Sequence, residues 1–176
     1  DRVIVFGGDD ADTLDRNDTW SLSLSAPERW SAFEPAGALP PARRGHSAIY
    51  DPVRDRMVVF GGVTGFVLGS IDNTTYLSDV WTLDLVTSAW SQLVPQGVGP
   101  SPRTGHAAVY DAARDRMLVF GGYDGTTARA ELWELSLSGG GTWTKLSPTG
   151  GPPAPRFAHA AICDATHDRM LVFGGS

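Results

Sequence analysis

The sequence has almost no cysteine. Its single residue, Cys163, excludes an internal disulfide and any zinc site built on cysteines. Charge is sparse too: Asp, Glu, Lys and Arg make up 19% of the chain, against roughly 25% in ordinary soluble domains. What charge there is leans acidic, 20 acidic against 14 basic residues, for a net charge of −6. A general nucleic-acid binder needs a basic stripe to displace counterions, so that class is excluded. Long apolar runs are missing as well. Segments such as Met117 to Phe120 fall far short of the ~20 residues that cross a bilayer as a helix. No basic stretch followed by an apolar one marks a leader at the N-terminus. A helical period is absent over any useful length.

Turn residues and tryptophan are plentiful instead. Gly 21 and Pro 12 together make 33 of 176 residues, about 19% where roughly 12% is usual. Six tryptophans are many for so short a chain, and the apolar fraction of 41% is enough for a packed core.

The chain repeats itself. Residues 43–62 and 103–122 share 14 of 20 positions, and residues 103–122 and 156–175 share 14 again. Asp1 to Gly8 matches the second half of this block. The glycine pairs Gly7-Gly8, Gly61-Gly62, Gly121-Gly122 and Gly174-Gly175 recur at periods of 54, 60 and 53 residues. Between them stand the tryptophan pairs Trp20/Trp30, Trp81/Trp90 and Trp133/Trp143, spaced by 10, 9 and 10 residues. Periods of this length with many short strands indicate propeller blades. Each unit reads as four strands, exemplified by His46 to Asp51, Arg56 to Phe60, Val80 to Leu85, and a fourth from Trp90. Gly61-Gly62 closes the second strand. In the third, Trp81, Leu83 and Leu85 alternate with Val80, Thr82 and Asp84, which predicts one buried and one wetter face.

A glycine pair after an apolar strand, followed by two spaced tryptophans, resembles the kelch repeat. The Arg-x-Gly-His opening, as in Arg43 to His46, is similar to the variety found in many bacterial and in some eukaryotic kelch proteins. The resemblance covers essentially the whole chain and implies an all-β kelch-type propeller segment over 1–176. Its approximate repeats are 1–42, 43–102, 103–155 and a partial 156–176, about three four-stranded blades. Six blades on this period need about 330 residues. The segment therefore fits half of a six-bladed ring completed by a second copy, or a piece of a longer propeller.

The repeated glycines and tryptophans have physical reasons to be structural: glycine allows positive φ and close backbone approach, and tryptophan packs between blades. His46, His106 and His159 occupy one repeat position, so they spread around a ring rather than converge on a metal ion. Arg43, Arg103 and Arg156 precede the strand that resembles the family's innermost one. They are ligand candidates at the channel mouth, because the guanidinium fork suits carboxylates and phosphates. Divergent loops are the other recognition candidates. The longest, 63–78, carries Phe66, Val67, Leu68, Ile71 and Tyr76, of which Phe66 and Tyr76 are taken as ligand candidates. Asp9, Asp10, Asp12 and Asp15 crowd another loop without the spacing of a calcium-binding EF-hand.

Kelch scaffolds also carry enzymes, including oxidases and epimerases. Here no nucleophile–base pair stands out beyond the repeat positions, and Cys163 replaces Tyr50 and Tyr110 as a small strand residue. The expectation is a non-catalytic interaction or scaffolding module, binding protein or carbohydrate, without cofactor or metal. The alternatives are a self-assembling propeller half and part of an enzyme whose catalytic residues lie elsewhere. No compartment is assigned.

Overall fold

The computed structural model describes residues 1–10, 14–65, 67–68 and 71–176. Every regular element among them is a strand. The first blade joins β1 (Arg2–Asp9), β2 (Asp15–Ser23) and β3 (Arg29–Phe33) in that order. The chain leaves it through β4 (Ala36–Gly37) and enters the second blade with β5 (Ser47–Asp51) and β6 (Arg56–Thr64). A small hairpin, β7 (Val67–Leu68) and β8 (Ile71–Asp72), precedes β9 (Thr75–Asp84) and β10 (Ala89–Leu93). The second blade has the order β5-β6-β9-β10-β4, with β4 parallel to β10 and the other pairs antiparallel. The third blade runs β11 (Ala107–Asp111), β12 (Arg116–Phe120), β13 (Leu132–Ser136) and β14 (Thr142–Leu146). A hairpin of β15 (Ala160–Asp164) and β16 (Arg169–Phe173) follows.

The five-residue turns explain why Asp stands at both of their ends. Asp51 Oδ1 accepts the backbone N–H groups of Val53 and Arg54. Asp55, Asp115 and Asp168 adopt φ of 44°, 47° and 49°, a left-handed conformation that Asp tolerates better than most residues. The two ends of the turn therefore need Asp for different reasons.

Two sequence expectations need correction. The glycine pair does not close β6: that strand runs on to Thr64, with a bulge between Phe60 and Gly62. Nor do residues 80–83 of β9 have a wetter face. Val80, Trp81, Thr82 and Leu83 are all buried, because this blade is covered on both sides. Thr82 meets the cost of burial by bonding Ser91. The same sandwiching explains the unbroken apolar run of β6.

Two cores fill the spaces between blades. Phe6 and Ile4 of the first blade pack against Met57, Val59, Trp81, Leu83 and Trp90 of the second. Ile49, Val58, Phe60 and Val80 of the second pack against Met117, Val119, Trp133, Leu135 and Trp143 of the third. Successive residues of β6 thus serve opposite cores. At the two ends of the array the equivalent residues are open. Trp20 and Trp30 are 41% and 53% exposed and Phe173 is 84% exposed, whereas Trp90 is 3% and Phe60 is 0% exposed.

A backbone thread also ties the blades. Gly105 N–H donates to Gly45 O at 2.8 Å, and Ala158 N–H donates to Gly105 O at 2.7 Å. Gly45 and Gly105 have φ of 60° and 64°, and Ala158 follows them at 55°. A left-handed conformation costs a residue with a Cβ about 1 kcal/mol. Ala158→Gly should therefore stabilise the chain by about 1 kcal/mol, read as a raised urea midpoint at unchanged slope. Gly105→Ala should lower that midpoint, since its Cβ would also stand 3.1 Å from Ala158 N.

Candidate functional site

The repeated arginines open each blade but do not line a binding surface. Arg43 is fully buried. Its guanidinium donates to Pro41 O and Gly61 O and forms a fork with Asp79, at 2.7 and 2.8 Å. Arg103 is equally buried and donates to Ser101 O, Gly121 O and Glu131, the last at 2.9 Å. Each ties the strand-1 entry to the glycine pair and to the third strand of its own blade. This corrects the channel-mouth expectation for Arg43 and Arg103: no face of either guanidinium is open to a ligand. Arg156 keeps the two backbone bonds, to Ala154 O and Gly174 O, and is partly exposed.

The carboxylates respond to this pairing. Burial alone pushes the Glu131 carboxyl up, but Arg103, Lys145 and the Trp133 indole outweigh it and hold it down at about 2. Asp79 is lowered in the same way, with Arg43 and Trp81 overcoming burial. Trp81 and Trp133 donate their indole N–H to these same carboxylates, so arginine, acid and tryptophan form one unit in each inner blade.

The histidines stand one per blade, against three different phenylalanines. His46 lies edge-on to Phe6, His106 to Phe60 and His159 to Phe120, at centroid distances of 5.4, 5.0 and 5.5 Å. Burial, helped by Arg43, lowers His46 to about 4. Burial and Arg103 lower His106 to about 3. Both rings are neutral at pH 7. Among the described residues no group of three His, Cys, Asp or Glu side chains is arranged to hold a metal ion.

Sequence reasoning missed a second set of arginines. Arg54 bonds its own Asp51 and reaches into the third blade to Asp115, with contacts of 3.0 and 2.6 Å. Arg114 does the same with Asp111 and Asp168. The recurrence of Arg54 and Arg114 at one turn position was the available signal. His167 stands at this position in the last hairpin and bonds Asp164 at 2.8 Å. Cys163 is exposed, and burial together with Asp111 raises its thiol.

At the opposite end of the blades the loops diverge, and there the side chains gather differently. Tyr76 lies edge-on to Tyr123 at 6.1 Å, and Tyr123 packs on Phe157 at 5.6 Å. These three rings come from three successive repeats and form a continuous row. Tyr76 also covers Gly125, where a Cβ would stand 2.9 Å from its ring. Beside the row, Asp15 accepts from Arg44 and from Gly65 N–H, joining the loops of the first and second blades. Asp124 is held by Thr126, Thr127 and Arg129. In the aspartate-rich loop, Asp10 binds Leu14 N–H and Arg16, while Asp15 turns to the second blade. Phe66 and Asp12 lie outside the described residues. Tyr76 is thus the sequence-predicted ligand candidate that the structure places in a shared surface feature, and Tyr123 and Phe157 are its unforeseen neighbours.

The KLHDC2/KLHL20/DRC7 Kelch-repeats domain model matches residues 1–176. The leucine-zipper-like transcriptional regulator 1 homolog of Drosophila melanogaster is 31% identical over 99% of this chain, which spans 17% of that protein. Human host cell factor 2 is 33% identical over 99% of the chain, spanning 23% of its length. The bovine Rab9 effector protein with kelch motifs is 36% identical over 84% of the chain, spanning 38% of its length.

Two outcomes follow from the buried polar units. Asp79→Ala strips a buried guanidinium of its counter-ion and should cost about 3 kcal/mol, read from urea unfolding. The histidines set a pH dependence. Their folded values of about 4 and 3 lie below the unfolded value near 6.5. Their contribution is complete above pH 6.5 and is lost as pH falls toward 4 and then 3, with a slope of up to about 1.4 kcal/mol per unit per histidine. His106→Phe should flatten that slope in unfolding curves between pH 6.5 and 4.

Proposed function

Because the chain belongs to the kelch-repeat family, we propose that it serves as a non-catalytic interaction module whose recognition surface is the loop end bearing Tyr76, Tyr123 and Phe157. The single observation that carries this reading is the aromatic row itself. The repeated residues are committed to neighbouring blades, whereas this row is built from positions where the repeats differ. Tyr76 and Tyr123 offer rings and hydroxyl groups at a partly open surface, a combination favoured where a partner must be gripped and oriented. The ion pairs alongside, Arg44 with Asp15 and Arg129 with Asp124, neutralise each other and leave apolar and hydroxyl contacts to dominate. That chemistry suits a peptide segment or a glycan. The names of the relatives, a regulator homolog, a host cell factor and an effector, fit an interaction role.

Self-assembly is the second reading, favoured by the open faces at the two ends of the array. Trp20, Trp30 and Phe173 are exposed there although their equivalents inside are buried. Apolar faces of this kind mark association surfaces, for a second copy or for further blades of a longer chain.

The recognition surface is tested by screening the chain against displayed peptides and a glycan panel, then repeating with Tyr76→Ala and Tyr123→Ala. A selected ligand should bind at least tenfold more weakly to each variant, while Arg54→Ala, at the far end of the blades, leaves its affinity unchanged. Undiminished binding to both tyrosine variants would move the site elsewhere.

A further inference from the structure

We propose that the surface at Tyr76 and Tyr123 takes a basic peptide, seating an arginine side chain against the two rings with its guanidinium paired to the Asp72 carboxylate. The inference rests on the reading of this loop end as the recognition surface and names the chemistry of its partner. Its residues belong to the second and third blades, the two that the structure shows with all four strands.

The chain already builds such an arrangement for itself. Lys145 Nζ lies over the Trp133 ring, 5.7 Å from its centre, and donates to Glu131 at 2.6 Å. The Trp133 indole N–H donates to the same carboxylate. Cation, ring and acid stand together, and the cation gains from both neighbours. The negative face of the ring attracts it, and the carboxylate pairs with it.

At Tyr76 the ring and the acid are present without the cation. Asp72 closes β8, just before β9 opens with Thr75 and Tyr76. It is exposed, and it accepts the Thr74 N–H at 2.9 Å. Among the described residues no arginine or lysine bonds it. Thr74 holds its carboxyl below the usual range, so it is charged at pH 7. Burial, Tyr123 and Asp72 together raise the Tyr76 hydroxyl, so Asp72 stands within electrostatic reach of the ring. Arg44 and Asp124 act on the same hydroxyl, but each is already paired, with Asp15 and with Arg129. With those pairs cancelled, the charge left beside the rings is that of Asp72. The net charge of −6 on the chain adds a long-range pull on any cation.

Arginine suits the place better than lysine. Its guanidinium is planar, stacks on an aromatic face and offers a fork to a carboxylate. Arg43 makes that fork with Asp79, the acid that also accepts the Trp81 indole N–H. A peptide also brings backbone carbonyls for the Tyr76 and Tyr123 hydroxyls, which bond no other described residue. Anionic sugars and phosphates are repelled by Asp72, and a neutral glycan would use the rings and leave the carboxylate idle. The polarity is opposite to that expected of a surface lined by Arg43 and Arg103, whose charge is consumed inside the blades.

The test selects random displayed nonapeptides on the 176-residue chain and remakes the bound sequences with citrulline, the neutral isostere of arginine. The selected peptides should carry arginine, and citrulline or Asp72→Asn should each weaken binding about tenfold. The two losses should not add, because both remove one pair. Tyr76→Phe keeps the ring and should retain most of the affinity, whereas Tyr76→Leu should lose about tenfold. Peptides that need Tyr76 and Tyr123 but bind Asp72→Asn, and bind in citrulline form, without loss overturn the basic partner and leave the recognition surface standing. A surface that takes only a glycan, through the same tyrosines, does likewise. Ligands indifferent to both tyrosines, or none from either panel, overturn the surface and the basic partner together.

Discussion

Phe6, Phe60 and Phe120 each lie on the boundary between one blade and the next, and the repeat is organised around filling that boundary. The following blade meets the ring with the histidine that immediately precedes its first strand, and in the two complete boundaries with a tryptophan from its fourth. The approach works only because the next residue has no side chain. A Cβ on Gly61 would stand 3.0 Å from both Arg103 O and His106 Cε1, and one on Gly121 would stand 2.6 Å from Arg156 O. The second glycine of each pair then donates its N–H to that same arginine's carbonyl, at 2.9 Å in all three cases. Aromatic burial of this kind contributes a few kcal/mol per ring, and close packing makes it sensitive to any added atom.

Buried arginine is the expensive part of this arrangement. Moving a guanidinium out of water costs several kcal/mol, and the cost is offset only where its donors are filled. Arg43 and Arg103 fill theirs with backbone carbonyls and an acid that is also bonded to an indole. The chemistry that makes arginine attractive as a ligand residue is therefore consumed inside the blade. Arg54 and Arg114 spend theirs across the boundary. Polar residues that recur in every repeat are here the mortar between repeats, and the histidines beside them stay neutral because burial and a neighbouring cation both oppose protonation.

Much of this was legible from sequence. Equal spacing of glycine and tryptophan pairs forces equal units, and short β-branched runs between turn residues force strands. The burial of Thr82 and Val80 was not legible, since an alternating strand looks half-wet until a second blade covers it. The ligand reading of Arg43 failed for a related reason: sequence places an arginine near an axis but does not reveal Asp79, 36 residues away, waiting for it. The aromatic row was half visible. Tyr76 stood out in a long loop, but Tyr123 and Phe157 sit at different offsets in their repeats, and only the curvature of the array brings them together.

A stack in which each blade touches only its neighbours has a consequence for where function can reside. Stability is then a sum of nearest-neighbour terms, so a residue at a boundary cannot change without disturbing two blades, while a loop at the blade ends can change freely. Residue 163 illustrates the limit of that freedom. Tyr50 and Tyr110 bond the Asp that ends their own turn, Asp55 and Asp115. Cys163 cannot make that bond. The bond lost at residue 163 lies within one turn, whereas Arg54 and Arg114 carry bonds across a boundary. The residues of the aromatic row and those exposed on the outer blade faces are thus separate sets, and one can be altered without dismantling the other.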